Sequence, residues 1–598
     1  MFIVVAEKSS VAMAIRNALP SIKARVEWVR GHIMDIDLPT TLRLWRLETV
    51  EDIMDVRKFR YIVRDRESYS KLSSIFSNCK DDDMLVIATD NDHEGELIGY
   101  EILMLYRNVR RDGRYYRMRF NSTDRREILD AWNRLEDSLN WRWVSKAMFR
   151  HKFDLLTGAA YTRLLTLSSR MGMDTNDKEK GYANTSISKS IKHGTNRHGG
   201  YDGKGKGLIS WGSCQTPTLN FIVEREREIE NFKPVNYWYI EVLIEHDGVR
   251  FKAKSKDIYE GEEYAMQVYE SCRGSSKASV VEYKESAMII HRPLPLRTDD
   301  ALRDLVRITG KSAAYILDVM EDLYSKGYIS YPRTDTNRYP KGFDFAKPLS
   351  AALKGLSVDV DAHIPKARNG MLDDGAHPPI YPVSPYHGSS IERVVWEYIA
   401  RRFLANAFAG DASVVKQHAR LTTVKGGVEL YADGQYIKDE GFFKIYGYFM
   451  PKENRLPSLM VDSSVEIVSI DLVKAKTKPP SRLSEAELLE VMERHGIGTD
   501  ATRAEFPSLL LKRGYAIKVH NRFRPTSLGV AVIDALKGLD LRLVSPDARK
   551  MVETLMKDIE DGKVKEDEAL NRAIEIYQHL LNICIKNIDY VAKRLQSA

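Results

Sequence analysis

Apolar residues recur with two periods along this chain, and the places where the period changes mark its segments. From the start to about residue 140, short apolar runs alternate with helical patterns. FIVV (2–5) reads as a buried strand, AEKSS as a loop, and 11–19 as a helix capped by Ser9 or Ser10. The same order returns as MLVIA (84–88), TDNDHE, and a helix from 95 to about 106. This alternation predicts an α/β domain. From 141 to about 232 the spacing is helical, with a tight polar turn at 210–216 and Pro217 opening a long helix. Alternation of period two then takes over in YWYIEVLIEH, VRFKAK and ASVVEYK. It resumes after 411 in SVVKQHARLTTV, VELYADGQYI and SVEIVSIDLV. Between these β stretches lies a helical block whose clearest element, 312–326, buries Ile316, Leu317, Met320, Leu323 and Tyr324 and stops at Gly327.

From 484 the pattern is helical again. Ser484 and Glu487 form a capping box, HGIGTDATR is a glycine turn into a second helix, and YAIKVHNRFRP reads as a hairpin. A helix, a turn, a second helix and a basic hairpin outline a winged-helix DNA reader. The predicted division is an α/β domain at 1–140 and a helical, winged-helix-like DNA-binding domain at 141–232 with 484–598. A β-rich domain occupies 233–292 with 386–483, interrupted by an inserted module at 293–385.

At 598 residues the chain is too long for one core. A net charge of +7 permits a polyanionic partner without requiring one. The excess is uneven. Segment 171–206 holds seven Lys or Arg against four acids, with seven glycines and few aliphatic residues, and reads as a flexible basic insertion. Cys79, Cys214, Cys272 and Cys584 are far apart, which argues against a zinc ribbon or a disulfide framework and suits a reducing compartment. The apolar start is cut by Glu7 and Lys8, so it is read as a strand and not a signal peptide, and no run approaches the ~20 apolar residues of a membrane span. A soluble intracellular protein is expected.

In doubly wound sheets, the carboxyl ends of strands meet at the functional crevice. Glu7 stands at one such end, and Asp90, Asp92 and Glu94 stand at another, with Lys8 beside the first. Such carboxylates repel one another unless a divalent cation or a shared proton neutralises them, and Mg²⁺ is served by one or two of them with water and substrate oxygens. In ISYPRTDTN (329–337), Tyr331 and Arg333 follow a rigid helix on a short extended exit. A phenol can attack phosphorus while a guanidinium holds the phosphate oxygens. DDGAHPPIYP (373–382) places His377 in a stiff loop, where it could bond the same phosphate. GKS at 310–312 is no nucleotide-binding loop, because Leu305 stands where glycine is required. ATP-driven chemistry is therefore not expected.

Taken together, VVAEKSS, GHIMDIDLP, ATDNDHEGE, SWGSCQTPTL, RPLPLRTDDAL, ISYPRTDTN, DDGAHPPIYP and HGIGTDATRAE, in this order, resemble the type IA DNA topoisomerases of the topoisomerase III kind, over nearly the whole chain. The resemblance implies a toroid with an N-terminal Toprim domain, a β-rich arch and a gate module at 293–385. It implies Tyr331 as the nucleophile of a 5′-phosphotyrosyl intermediate, Arg333 stabilising the phosphate and His377 orienting it. Glu7, Asp90 and Asp92 hold Mg²⁺ with Glu94 nearby, and Lys8 serves the scissile phosphate or the leaving oxygen. Expected DNA contacts are His32, Arg150, Arg163, Ser210, Gly212, Ser213, Gln215, Thr499 and Arg503. The implied activity is an ATP-independent isomerase that relaxes negative supercoils or decatenates DNA. It would act as a monomer on single-stranded or underwound DNA in the cytoplasm, nucleoid-associated, or in a nucleus; a helicase or single-strand-binding protein is a compatible partner. Two departures stand out: His93 replaces the arginine of many members, and the zinc ribbons of many C-terminal tails are not seen. The alternatives are a Toprim nuclease or primase, sharing the carboxylates, and a non-catalytic DNA-binding ring.

Overall fold

The computed structural model describes the chain except residues 21, 172–206, 359–363, 500–501 and 598. Apart from residue 171, the expected basic insertion lies outside the described residues.

The first segment contains β1 (Phe2–Ala6), α1 (Ser9–Ala18), β2 (Ala24–Trp28), β3 (Met34–Asp37), β4 (Arg60–Val63), α2 (Arg66–Ser77), β5 (Met84–Ala88), α3 (His93–Val109), β6 (Tyr115–Arg117) and α4 (Arg125–Asn133). Four strands form a parallel sheet in the order β2-β1-β5-β6, and β3 pairs with β4 antiparallel beside it. Alternate strand residues serve opposite faces. Val4, Ala6, Val86 and Ala88 pack with Val11 and Ile15 of α1, whereas Ile3, Val5, Leu85 and Ile87 pack with Leu97 and Ile102 of α3. Each buried Val, Leu or Ile among them is worth roughly 1.5–3 kcal/mol of transfer free energy, so the strand ends are firmly placed. Neither Ser9 nor Ser10 caps α1. The capping position is Lys8, whose side chain makes no capping bond. Helix α3 starts two residues before Gly95, because the Asp92 carboxylate caps it by accepting the Gly95 amide at 2.7 Å. A Cβ at Gly95 would stand 2.0 Å from the Asp90 carbonyl oxygen, so this close turn requires glycine.

Helix α5 (Trp141–Ser168) packs on α3 and leads to α6 (Gln215–Glu230), which begins two residues ahead of Pro217. The β-rich part is a closed six-stranded barrel: β7 (Asn236–His246), β8 (Val249–Ser255), β9 (Lys277–Ile290), β10 (Ala412–Thr423), β11 (Glu429–Asp439) and β12 (Ser464–Lys476), ordered β10-β11-β8-β7-β12-β9. Within this stretch lies α7 (Glu262–Cys272), which the β reading missed. Its buried side is narrow, chiefly Ala265 and Cys272, and leaves a weak periodic signal.

The inserted module holds α8 (Thr298–Thr309), α9 (Ala313–Ser325) and α10 (Ala346–Leu356). Ser312 caps α9, and Gly327 follows it with φ of 78°. Helix α11 (Ile391–Phe408) packs on α8, α9 and α10 and shares their core. We therefore propose the sequence-derived division with the module extended from 385 to about 410. The last segment runs α12 (Glu485–Arg494), α13 (Glu505–Lys512), β13 (Ala516–Val519), β14 (Arg522–Pro525), α14 (Ser527–Lys537), α15 (Asp547–Glu560), α16 (Glu566–Lys586) and α17 (Ile588–Gln596). The Ser484–Glu487 capping box and the β13–β14 hairpin are both present. Among the described residues no helix is long and apolar enough to cross a membrane.

Candidate active site

Parallel pairing of β1 with β5 brings their carboxyl ends side by side. Glu7 accepts the Asp90 amide at 3.1 Å, and the Lys8 ammonium reaches Asp90 Oδ2 at 3.1 Å and Glu321 Oε2 of α9 at 3.8 Å. Burial pushes the Glu7 carboxyl up to about 8, and the neighbouring charge of Asp90 adds to this. Were Glu7, Asp90 and Asp92 all ionised, their charge would exceed what Lys8 offsets, the condition under which a divalent cation is favoured.

The inserted module closes over this cluster. Tyr331, 4% exposed, donates its phenolic hydrogen to Asp92 Oδ2 at 2.5 Å, across 239 sequence positions. Tyr324 does the same toward Asp90 Oδ1 at 3.3 Å. Burial, then the charges of Asp92 and Asp90, raise the Tyr331 phenol well above its usual range, so in this arrangement it is a protonated donor. Arg333 is paired with Glu321, its Nε donating at 2.8 Å. The His377 ring lies 4.9 Å from the Tyr331 ring, tilted by 30°, and its Nδ1 is held by Asp374 Oδ2 at 3.1 Å. Asp374 also accepts the Thr334 hydroxyl at 3.0 Å, which ties the His377 loop to the segment carrying Tyr331.

Glu94 departs from the expected arrangement. Its carboxylate is engaged by His32 at 3.1 Å, His151 at 3.0 Å and Arg150 at 3.6 Å, while it lines the same cavity as Asp92. Both ring nitrogens of His32 are engaged, Nδ1 by Glu101 at 2.7 Å, so His32 is an internal anchor here and not a presented DNA contact.

Two expected DNA contacts are structural. Arg163, 2% exposed, donates to the Leu42 carbonyl at 2.7 Å and lies over the Trp45 ring at 5.5 Å. Arg503, 6% exposed, donates to the carbonyls of Ile497 at 3.0 Å and Gly498 at 2.7 Å and pairs with Asp299 of α8. Both spend their charge inside the fold. Arg150, Ser210, Gly212, Ser213 and Gln215, in contrast, line one cavity of about 360 Å³ with Trp45, Arg513 and Arg549. Thr499 and Arg150 also line a second cavity, of about 520 Å³, that contains Asp92, Arg333 and His377. Arg549 donates to Ser213 Oγ at 2.9 Å and had no sequence signal, since it sits in an ordinary charged helix. Glu321 and Asp374 were missed likewise; only their partners make them notable.

His93 occupies the position of the expected arginine and is spent on Glu560, at 3.2 Å, with Lys146 bonded to the same carboxylate at 2.6 Å. Burial opposes ionisation of Glu560, but the bonds from His93 and Lys146 prevail and lower it from 4.5 to about 2. A depressed carboxyl contributes stability above its unfolded value that is lost as pH falls through its folded value. Glu560→Gln should therefore cost about 1 kcal/mol at neutral pH after solvent screening. The deficit should vanish by about pH 2 in urea unfolding followed across pH; a constant deficit would contradict the ionic origin.

Known proteins share this architecture. The model of the DNA topoisomerase family matches residues 138–571, and that of the Toprim domain matches residues 2–123. DNA topoisomerase 1 of Archaeoglobus fulgidus is 30% identical over 580 residues, covering 96% of this chain and 79% of that protein. DNA topoisomerase 3 of Saccharomyces cerevisiae is 28% identical over 615 residues, covering 95% and 91%. The structure of full-length topoisomerase I from Thermotoga maritima superposes with a TM-score of 0.73 at 22% identity, over 97% of this chain and 90% of that one, so the fold is shared. A Toprim nuclease or primase does not account for a match that runs through the module bearing Tyr331. With its Toprim domain at the N-terminus and the topoisomerase body behind it, the chain belongs to the type IA DNA topoisomerase family.

Proposed function

We propose that this type IA topoisomerase acts on DNA by cutting one strand with Tyr331, passing a strand and resealing the break, without ATP. The single observation that carries the residue assignment is the 2.5 Å bond from the Tyr331 phenol to Asp92, which joins nucleophile and carboxylate cluster across two segments. Tyr331 Oη attacks phosphorus and its proton passes to Asp92, the acceptor it already contacts. The bond from phosphorus to the 3′ oxygen breaks, and that oxygen takes a proton from the Lys8 ammonium. The products are a 5′-phosphotyrosyl ester and a 3′-hydroxyl, so one phosphodiester replaces another and the reverse attack restores the strand. Arg333 stabilises the charge on the phosphoryl oxygens once its guanidinium is shared between Glu321 and the substrate, and His377, braced by Asp374, orients them.

Glu7, Asp90 and Asp92 offer the oxygen donors that Mg²⁺ requires, and such an ion would offset both the burial and the neighbouring Asp90 charge that raise the Glu7 carboxyl. We leave Glu94 out of this set because it faces His32 and His151. Bound there, Mg²⁺ would neutralise the phosphate and steady its position. The cavity bordered by Ser210–Gln215, Arg150 and Arg549 is our candidate path for the single strand, which underwound DNA would supply.

A pair of labelled oligonucleotides tests the chemistry. After denaturant traps the cut complex, a 3′-end label should travel with the protein, and a 5′-end label should leave on a fragment ending in a 3′-hydroxyl. The opposite distribution, or no adduct, would sink the mechanism.

A further inference from the structure

Two histidines and one glutamate converge where the loop after β2, the first turn of α3 and the middle of α5 meet. Glu94 Oε2 lies 3.1 Å from His32 Nε2 and 3.0 Å from His151 Nε2. Among the described residues, these three form the group of His, Cys, Asp or Glu side chains whose donor atoms all lie within 4.8 Å of one another. With bonds of ~2.0–2.1 Å, a tetrahedral ion separates its donors by roughly 3.3 Å. Closing on such an ion therefore asks little movement of the two Glu94 contacts.

A second observation points to a ligand. His32 Nδ1 is bonded to Glu101 Oε1 at 2.7 Å, and Glu101 is itself 5% exposed, its other oxygen accepting the Ile33 and Met34 amides at 2.8 and 3.0 Å. A carboxylate fixed in this way sets the ring and its tautomer and presents Nε2, the arrangement found behind metal-bound histidines. It lies outside the three ligands and is anchored to the backbone independently of them.

We propose that His32, His151 and Glu94 bind one transition-metal ion of the zinc type, at a site separate from the carboxylate cluster. Two imidazoles and one carboxylate suit Zn²⁺, whereas Mg²⁺ takes oxygen ligands and keeps much of its water. Three protein ligands leave a position for an exogenous oxygen. His151 belongs to α5, and His32 and Glu94 belong to the first segment, so the ion ties the helical body to the Toprim sheet. It also holds Glu94 in the orientation seen, toward His32 and His151.

The test uses the full chain, stripped of metal, and Zn²⁺ alone as the probe. Competition with a chromogenic zinc chelator in excess Mg²⁺ should show one tightly held Zn²⁺ per chain. His151→Gln should weaken it at least ~10-fold, as should Glu101→Gln acting through His32. Asp90→Asn should leave it unchanged. Zinc should raise the thermal midpoint of the wild type and not that of His151→Gln. No bound zinc, displacement by Mg²⁺, or affinity unmoved by His151→Gln would overturn the proposal and leave an ion-pair network only. If the variants fail to fold, Co²⁺ in the wild type decides. Intense visible bands of a four-coordinate ion support the site, and the weak bands of a six-coordinate aqueous-type ion refute it.

Discussion

Tyr331→Phe should lower plasmid relaxation by more than ~10⁴-fold while single-stranded DNA binding persists. The substitution removes one oxygen and leaves the ring where it is, edge-on to Tyr324 at 5.1 Å and against His377 at 4.9 Å. The buried packing that positions the module is therefore retained. What is lost is the oxygen we propose as the attacking atom, and the adjacent Tyr324 phenol does not replace it, being turned toward Asp90. Asp92 keeps the Gly95 amide on Oδ1 but loses the donor on Oδ2, a local cost of about 1–3 kcal/mol that loosens the contact between module and Toprim sheet. Gel analysis of supercoiled plasmid, with fluorescence anisotropy of a labelled single strand, separates the two effects. Relaxation at an appreciable fraction of wild type would mean another nucleophile; loss of both signals would mean a misfolded module.

Replacing Asp90 and Asp92 together by asparagine should reduce Mg²⁺-dependent relaxation by on the order of 10³-fold or more. The side chains keep their size, so the change is one of charge. Lys8 loses its 3.1 Å charged partner and the Tyr331 phenol loses the carboxylate it donates to. Burial raises the Glu7 carboxyl most and stays, but the charges of Asp90 and Asp92 add to it, so their removal lets it fall part of the way from about 8. Glu7 is then more ionised at neutral pH, yet it stands alone and cannot rebuild the cluster. Relaxation measured over a Mg²⁺ series checks this. Undiminished activity would refute the metal role.

Much of the fold was readable because its signals are local. The apolar runs at 2–5 and 84–88 are too short and too fully apolar to be anything but buried strands, and both pair in the parallel sheet. The capping box at Ser484 and the stop at Gly327 depend on the residues next to them and occur as read. Helix α7 was not readable, since its short buried side looks like the strands around it, and α11 could be placed with the module only from its contacts.

The candidate site divides in the same way. The sequence alone determined which groups stand at strand ends and which tyrosine leaves a rigid helix, because backbone periodicity carries that information over a few residues. Which acid faces which partner was decided only in the tertiary structure. Asp92 and Glu94 are two positions apart, but one caps α3 while the other lies in its first turn, and at 3.6 residues per turn their side chains diverge. Asp92 thus meets Tyr331, and Glu94 meets His32 and His151. Arg163 and Arg503 were expected as DNA contacts, but packing buries them, Arg163 against the Leu42 carbonyl and Arg503 against Asp299, because a charge is spent or presented according to neighbours distant in sequence.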